Sequence, residues 1–589
     1  MNGNNGKDNK GGRILRFERD SSFFAKRGDA KRAQNDPVSA ISLYYTALEH
    51  DPTDLDTRLA AAQVLTDMSR FNDSNRLLIP YMHEDEEFCK EAYCIVGFNM
   101  LGLGEYDGAK LCFDRFFTMT DEISERTDTI LDAIEFLDDE GEQSPLLSDA
   151  AVIERQANVK EAFTAVDSGD FDRAERLLKL LRERYPQDEE ILYKLALACL
   201  CKMQYKDCDG YLDELLSLNG SNWGALGMKL MCAKALKNEL ETTRLTRKLG
   251  KCDSEDPETL LKVNGSLYEC GAFEAALEVA KRLVRILPYD TVSNHRMGAA
   301  LMALGEYARA AEVYDKLARL DRRDRIAKYY RAGCLEAAND PACEFAKLPV
   351  MVQYQIPLPA IIDDVRRLMK NSKELRVEEL VERWRDDPDY RDLVRWTFTL
   401  HEFNTSRAVI SLLYLLCDEM AEKILREALA DIDVSDPVKN EALAALKRMD
   451  AEEPFFAISE GRLLEGRVNI VDLSDVNVPK SYRDIIKTIS ENAPENANPE
   501  VLSVASTLAE RFIMCSVGDF KQLSAQQSAA VSAAMEFLAC ERCGVLVPED
   551  ILERYGVTER RLSNAIDRII KVFMDNDPTT RDDDDGGAQ

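Results

Sequence analysis

Residues 28–52 read GDAKRAQNDPVSAISLYYTALEHDP, and this stretch decides the fold. Gly28 stands twelve residues ahead of Ala40, Tyr44 and Ala47 follow, and Pro52 closes the run. Small residues at the two matched positions let two antiparallel helices approach closely. The bulky side chain four positions on fills the gap between them, and the proline ends the second helix. The same offsets return in Ala162, Ala174, Leu178 and Pro186, in Ala276, Ala280 and Pro288, in Gly97, Ala109, Phe113 and Phe116, and in Gly298, Ala310 and Tyr314. A turn separates the helices at Gly104-Glu105-Tyr106, Gly169-Asp170-Phe171, Gly271-Ala272-Phe273 and Gly305-Glu306-Tyr307.

The interval is 34 residues: Ala174, Cys208, Thr242, Ala276 and Ala310 lie one step apart, as do Ala40 and Ser74, with Ala109 one residue beyond. A period of this size marks stacked helical hairpins, because one hairpin cannot bury its apolar face without a neighbour. The units around Ser74 and Thr242 are placed by register alone, since the first lacks the small residue and the proline, and the second keeps little but its spacing. A ninth hairpin begins near Arg325 and fails at Asn339-Asp340-Pro341.

These offsets resemble the tetratricopeptide repeat. The resemblance implies an all-α, superhelical α-α solenoid of about eight hairpins that acts as a protein-protein interaction surface. In arrays of that kind the first helices line a concave groove. The matching positions here are Val159, Phe163, Val166, Tyr193, Leu197, Met231, Leu261, Tyr268, His295, Met302 and Tyr329. This apolar, aromatic and methionine-bearing set suits a helix or extended peptide of a partner protein. About half of these side chains are expected to serve as core between hairpins. The Lys and Asn cluster with which some such arrays grip a terminal carboxylate is missing from the matching positions.

The chain divides into a disordered segment 1–20, a first sub-array 21–120, an acidic connecting segment 121–154, and a second sub-array 155–343. A mostly helical region 344–494, a C-terminal helical module 495–576 and an acidic tail 577–589 follow. The connecting segment, with Asp138-Asp139-Glu140, reads as an extra helix and an exposed loop, with an acidic docking strip as the alternative. Leu348 to Pro359 carries three prolines and alternates Val350, Val352, Tyr354 and Ile356, as a strand or extended connector would. Phe455 to Val471 reads as a β-hairpin. A small sheet joining the two is expected in preference to a connector that folds back into the array's own groove, because strands seek partners for their backbone groups. Between them Val409, Leu413, Leu416, Met420 and Ile424 form one helical stripe, and Ser435-Asp436-Pro437 starts another helix. Trp384 and Trp396 read as packing anchors.

In the C-terminal module, an Ala-rich helix from Ala525, a short helix from Pro548 and a third from Thr558 resemble the end of a cyclin-like or helix-turn-helix module. Its candidate DNA-reading face is Arg560, Arg561, Asn564 and Arg568. Glu549, Asp550, Glu553, Glu559 and Asp567 neutralise that face, and the aspartates at 582–585 repel phosphate further.

Composition agrees with a scaffold. The 76 Lys and Arg against 107 Asp and Glu leave a net charge of −31, which repels nucleic acid over the molecule as a whole. His50, His83, His295 and His401 are scattered, with no metal-ligand or relay spacing. Cys540-Glu541-Arg542-Cys543 is one pair where a structural zinc site needs two. No phosphate-cradling glycine loop or nucleophile elbow occurs. The expectation is a non-enzymatic adaptor without a cofactor or metal. The odd cysteine count of 15, six of them in apolar helical stretches (Cys94, Cys199, Cys201, Cys208, Cys334 and Cys417), and the absence of a signal-like or bilayer-length apolar run point to the cytoplasm.

Overall fold

The structure, a computed structural model, describes residues 20–120, 127, 129–135, 150–374, 377–468, 478–494, 497–516, 520 and 523–575. Of the acidic connecting segment 121–154, residues 121–126, 128 and 136–149 fall outside these residues, as do residues 1–19 and 576–589.

Helical hairpins follow one another as the 34-residue step predicts. The first three pair α1 (Ser21–Ala33) with α2 (Pro37–His50), α3 (Leu55–Asp67) with α4 (Phe71–Leu78), and α5 (Glu86–Leu103) with α6 (Tyr106–Thr118). After the connecting segment come α7 (Ala150–Asp167) and α8 (Phe171–Arg184), α9 (Glu189–Cys201) and α10 (Tyr205–Leu218), then α11 (Trp223–Ala235) and α12 (Glu239–Leu249). The pairs α13 (Pro257–Glu269) with α14 (Phe273–Ile286) and α15 (Thr291–Ala303) with α16 (Tyr307–Leu320) complete the hairpins, and α17 (Arg325–Asn339) starts a ninth unit.

Much of the acidic surplus near the helices is capping chemistry. Asp36, Asp54, Asp85, Asp188, Asp256, Asp290 and Asp324 each accept a backbone N–H from the first turn of the helix they precede. Carboxylates there satisfy orphan donors and face the positive end of the helix dipole. The tight glycine-for-tyrosine fit is also visible: a Cβ on Gly28 would lie 2.6 Å from the Tyr44 ring, and one on Gly298 2.8 Å from the Tyr314 ring. The turns at Gly104, Gly169, Gly271 and Gly305 are left-handed, with φ between 75 and 81°. At the corresponding place in the four remaining hairpins stand Asn35, Ser69, Met203 and Lys237, with φ of 57, 58, 59 and 55°. An L-residue there costs roughly 1–2 kcal/mol. That substitution removes the glycine punctuation from the two units placed by register alone.

The array's two ends meet. Helix α2 packs against α16. Arg322 clasps the junction, donating to the Ser42 carbonyl at 2.7 Å, to Thr46 Oγ1 at 2.7 Å and to the Glu49 carboxylate at 2.9 Å. Arg70 donates across the same seam to the Tyr289 carbonyl at 3.1 Å and to Thr291 Oγ1 at 3.0 Å.

Beyond the array lie α18 (Leu358–Glu374), α19 (Val377–Asp386), α20 (Pro388–Trp396), α21 (Phe403–Leu416), α22 (Glu419–Ala430) and α23 (Asp436–Arg448). The stripe from Val409 to Ile424 spans two helices rather than one, because Cys417 adopts a left-handed conformation between them (φ 46°). Trp384 and Trp396 are buried, and the Trp384 indole donates to Asp418 at 2.8 Å. Among the described residues, strands β1 (Phe455–Ser459) and β2 (Arg462–Gly466) pair only with each other, in the register Phe455↔Gly466 to Ser459↔Arg462. The expected sheet with Leu348–Pro359 does not form. The hairpin docks instead on the third unit, where Tyr93 donates to Glu465 at 2.9 Å and Arg462 pairs with Asp107 at 2.9 Å.

A separate core spanning 478–573 gathers α24 (Lys480–Asn492), α25 (Pro499–Cys515), α26 (Ala525–Arg542), the single turn α27 (Ile551–Arg554) and α28 (Glu559–Asp575). It starts ahead of residue 495 because Tyr482 stacks on Phe512 at 5.9 Å. Among the described residues no helix is long and apolar enough to cross a membrane. The cysteines are free; Cys94, Cys199, Cys208 and Cys334 pack as small apolar groups, whereas Cys201 and Cys417 are exposed.

Candidate functional site

The site begins with the first helices of the second sub-array. Of the positions predicted to line its groove, Val159, Val166, His295 and Met302 are buried, and Phe163, Tyr193, Leu197, Met231, Leu261, Tyr268 and Tyr329 stay half-buried. The first helices lie close enough for side chains to meet across the groove. The Lys194 ammonium sits 5.4 Å from the Phe163 ring centroid, one hairpin back, and the Lys262 ammonium 5.8 Å from that of Tyr193, two hairpins back. Gly224 makes room for the second contact: a Cβ there would stand 3.0 Å from the Tyr193 ring. An aromatic face under a cation is a favourable electrostatic pairing.

At α15 and α17 the wall is occupied. Residues Phe345–Pro357 turn back along α15, and the reading that set this arrangement second is the one realised. The ring of Phe345 fills the space over Gly333 that Tyr44, Phe113 and Tyr314 fill over Gly28, Gly97 and Gly298. A side chain from the connector therefore replaces the second helix that the ninth unit lacks. Further on, the Met351 carbonyl lies 2.9 Å from His295 Nε2, and the Tyr330 hydroxyl donates to the Gln355 carbonyl at 2.7 Å. Tyr354 donates to Asp324, and Ile356 is buried.

The His295 contacts define its protonation. A carbonyl can only accept, so Nε2 carries the hydrogen, and Nδ1, 3.0 Å from the Tyr314 hydroxyl, accepts from it. Burial disfavours the imidazolium and pulls the His295 pKa down to about 4. Burial acts in the opposite direction on Asp324, helped by the neighbouring Asp321 carboxylate, and its pKa rises to about 6. The sequence singled out His295 and Tyr329. It missed Tyr330, which provides the hydroxyl contact, while Tyr329 meets the edge of Phe345 with ring centroids 5.8 Å apart.

Also missed was a cavity of about 520 Å³ where α4, the starts of α15 and α17, and helices α20 and α22 converge. Its arginines and carboxylates pair with one another. Arg76 meets Asp73 at 2.7 Å, while Arg323 and Arg395 meet Glu427 at 2.6 and 3.0 Å. Burial works to raise the Glu427 pKa, but the two guanidiniums overcome it and bring the value to about 2. Arg76 and Asp73 are helical neighbours, but Glu427 lies 104 residues from Arg323 and 32 from Arg395, so no local pattern announces that cluster.

In the C-terminal module Arg560, Arg561 and Asn564 are exposed on α28 and Arg568 is half-buried. Glu559 and Asp567 are exposed on the same helix.

Comparison with known proteins agrees with this architecture. The tetratricopeptide repeat profile matches residues 159–201 and 295–344, so the chain carries tetratricopeptide repeats there. No curated protein matches the sequence. Among solved structures, the TPR2AB domain of yeast Sti1 in a pHSP90 complex is 12% identical, covering 56% of this chain and 98% of its own, with a TM-score of 0.19. Yeast Tom70 is 14% identical, covering 72% and 99%, with a TM-score of 0.21. Human IFIT1 bound to m7Gppp-AAAA is 13% identical, covering 65% and 94%, with a TM-score of 0.28.

Proposed function

We propose that this chain is a non-enzymatic cytoplasmic adaptor that captures an apolar peptide or helix of a partner protein in the groove lined by α7, α9, α11 and α13. The observation that carries this reading is the contrast between the half-buried Phe163, Tyr193, Leu197, Leu261 and Tyr268 and the sealed end of the same wall. At that end the first helices already hold an extended segment, through its carbonyls and its apolar side chains. An unoccupied wall of the same residue types suits the same kind of occupant. The test pairs Tyr193→Glu with Tyr268→Glu: partner capture by affinity purification should be lost while circular dichroism keeps full helical content. A partner set unchanged in the folded double variant rules the groove out.

The second reading, a regulator that touches DNA through its C-terminal module, rests on the exposure of Arg560, Arg561 and Asn564. A gel shift at low salt with the full chain, compared with an Arg560→Glu/Arg561→Glu variant, separates the two readings.

A further inference from the structure

The sealed end of the groove reveals which faces of the first helices meet an occupant. His295 and Tyr330, on α15 and α17, contribute the two side-chain groups that meet carbonyls of the Phe345–Pro357 segment. Stepping back from Tyr330 by 34 residues at a time gives Arg296, Lys262, Met228, Lys194 and Lys160, one on each preceding first helix. Four of these five are cationic in a chain whose net charge is −31. The row whose α17 member donates to the plug therefore carries Lys160, Lys194 and Lys262 across the open part of the wall, with Arg296 at its border with the sealed end.

Two members are visibly directed at the groove, since Lys194 and Lys262 lie over the rings of Phe163 and Tyr193. Their carboxylate partners, Asp167 at 2.8 Å and Glu258 at 2.6 Å, are themselves largely exposed. Exposed pairs of that kind contribute little and exchange partners readily. Arg296 differs: its Nε and Nη1 are buried without a hydrogen-bond partner beside Gly265 of α13. A half-buried guanidinium with unmet donors is incomplete, and a carboxylate matches its fork.

We infer that the open groove takes an extended segment of a partner protein in which acidic side chains alternate with apolar ones, the carboxylates pairing with Lys160, Lys194, Lys262 and Arg296. This rests on the groove reading above and adds the charge of the partner to it. A peptide fits better than a nucleic acid. Asp167 and Glu258 already halve the charge along the row, and a continuous phosphate backbone would meet them together with the acidic field of the whole molecule. Discrete carboxylates between apolar side chains avoid that penalty and use the tyrosines as well.

The test pans a phage-displayed library of random dodecapeptides against the full chain. The expected winners are rich in Asp and Glu interleaved with aromatic and β-branched residues. The best winner, synthesised and followed by fluorescence anisotropy, should bind about tenfold more weakly to the K194M/K262M/R296M variant, which keeps the apolar stems. A charge-reversed K194E/K262E/R296E variant should select basic peptides instead, and circular dichroism checks the fold of both. Winners without acidic enrichment, or an affinity that the methionine variant leaves unchanged, overturn the inference. If such acid-free winners are lost in the Tyr193→Glu/Tyr268→Glu variant, the groove reading survives alone; if they are retained there, it falls too. Tight binding of an oligouridylate that the methionine variant abolishes would reassign the row to nucleic acid and also overturn the proposal.

Discussion

The hairpin α13–α14 and the unit that begins with α17 share the same first-helix rows, yet one face is open and the other is filled. In the open hairpin the second helix α14 closes the back of the unit, and Leu261 and Tyr268 remain half-buried at the front. The ninth unit has no second helix, so the connector supplies Phe345 behind and its carbonyls in front. A solenoid end is a raw apolar surface that needs a cap. Here the cap and the groove occupant are one continuous stretch of thirteen residues, Phe345–Pro357. The difference teaches that an occupied groove need not mean a closed protein: the plug reaches His295 of the eighth unit, while Leu261 and Tyr268 of the unit before it stay half-buried.

Four perturbations would break or sharpen this contrast. Tyr314→Ala empties a fully buried site against Gly298 and should cost about 4 kcal/mol of stability, read by urea denaturation. A loss below about 1 kcal/mol would show that the ring does not hold α15 to α16.

The pH response at the plug comes next in size. His295, with its pKa lowered to about 4, contributes stability that is complete above 6.5 and is lost as pH falls through about 4. Asp324, raised to about 6, contributes stability that is complete below 3.8 and is lost as pH rises through about 6. The two oppose each other between pH 4 and 6, each worth at most about 3 kcal/mol. Wild-type hydrogen-exchange protection over 325–357 should therefore vary little in that window. His295→Gln should gain protection on acidification and Asp324→Asn should lose it. Parallel profiles in both variants would contradict the balance.

Phe345→Ala should cost about 2 kcal/mol, less than the loss at Tyr314 because this ring is only half-buried. Its effect should be confined to faster exchange in the ninth unit, leaving α13–α14 untouched. Smallest is Arg322→Ala, about 1 kcal/mol because the side chain is one-third exposed. It should loosen the seam between α2 and α16 and raise the radius of gyration in small-angle scattering; an unchanged radius would mean that the seam is held elsewhere.

What the sequence made legible follows from what is local. The fit of Gly28 to Tyr44 and the step from Ala174 to Ala310 are short-range consequences of one hairpin repeated, and they located the array and its groove rows. The unit around Thr242 was harder to see because Lys237 stands where other turns have glycine. Segment 348–359 alternates like a strand, but its apolar side chains and carbonyls found helix partners rather than a sheet. Tyr330 was passed over in favour of Tyr329, since a one-residue choice on a helix turns the side chain by about 100° and register alone does not fix it. The clasp of Arg322 on Ser42 and Glu49 and the Arg323–Glu427 pair join residues with no shared local pattern, so only folding reveals them.

The meeting of α2 with α16 has a mechanical consequence. An open helical coil stretches like a spring, and a tug at one end decays along the stack. A coil whose ends are buckled together behaves as a hoop: pulling the first turn also pulls the eighth, 280 residues away along the chain. The earliest and latest repeats should let go together when the protein is strained, while the turns opposite the buckle are free to flex around whatever they hold.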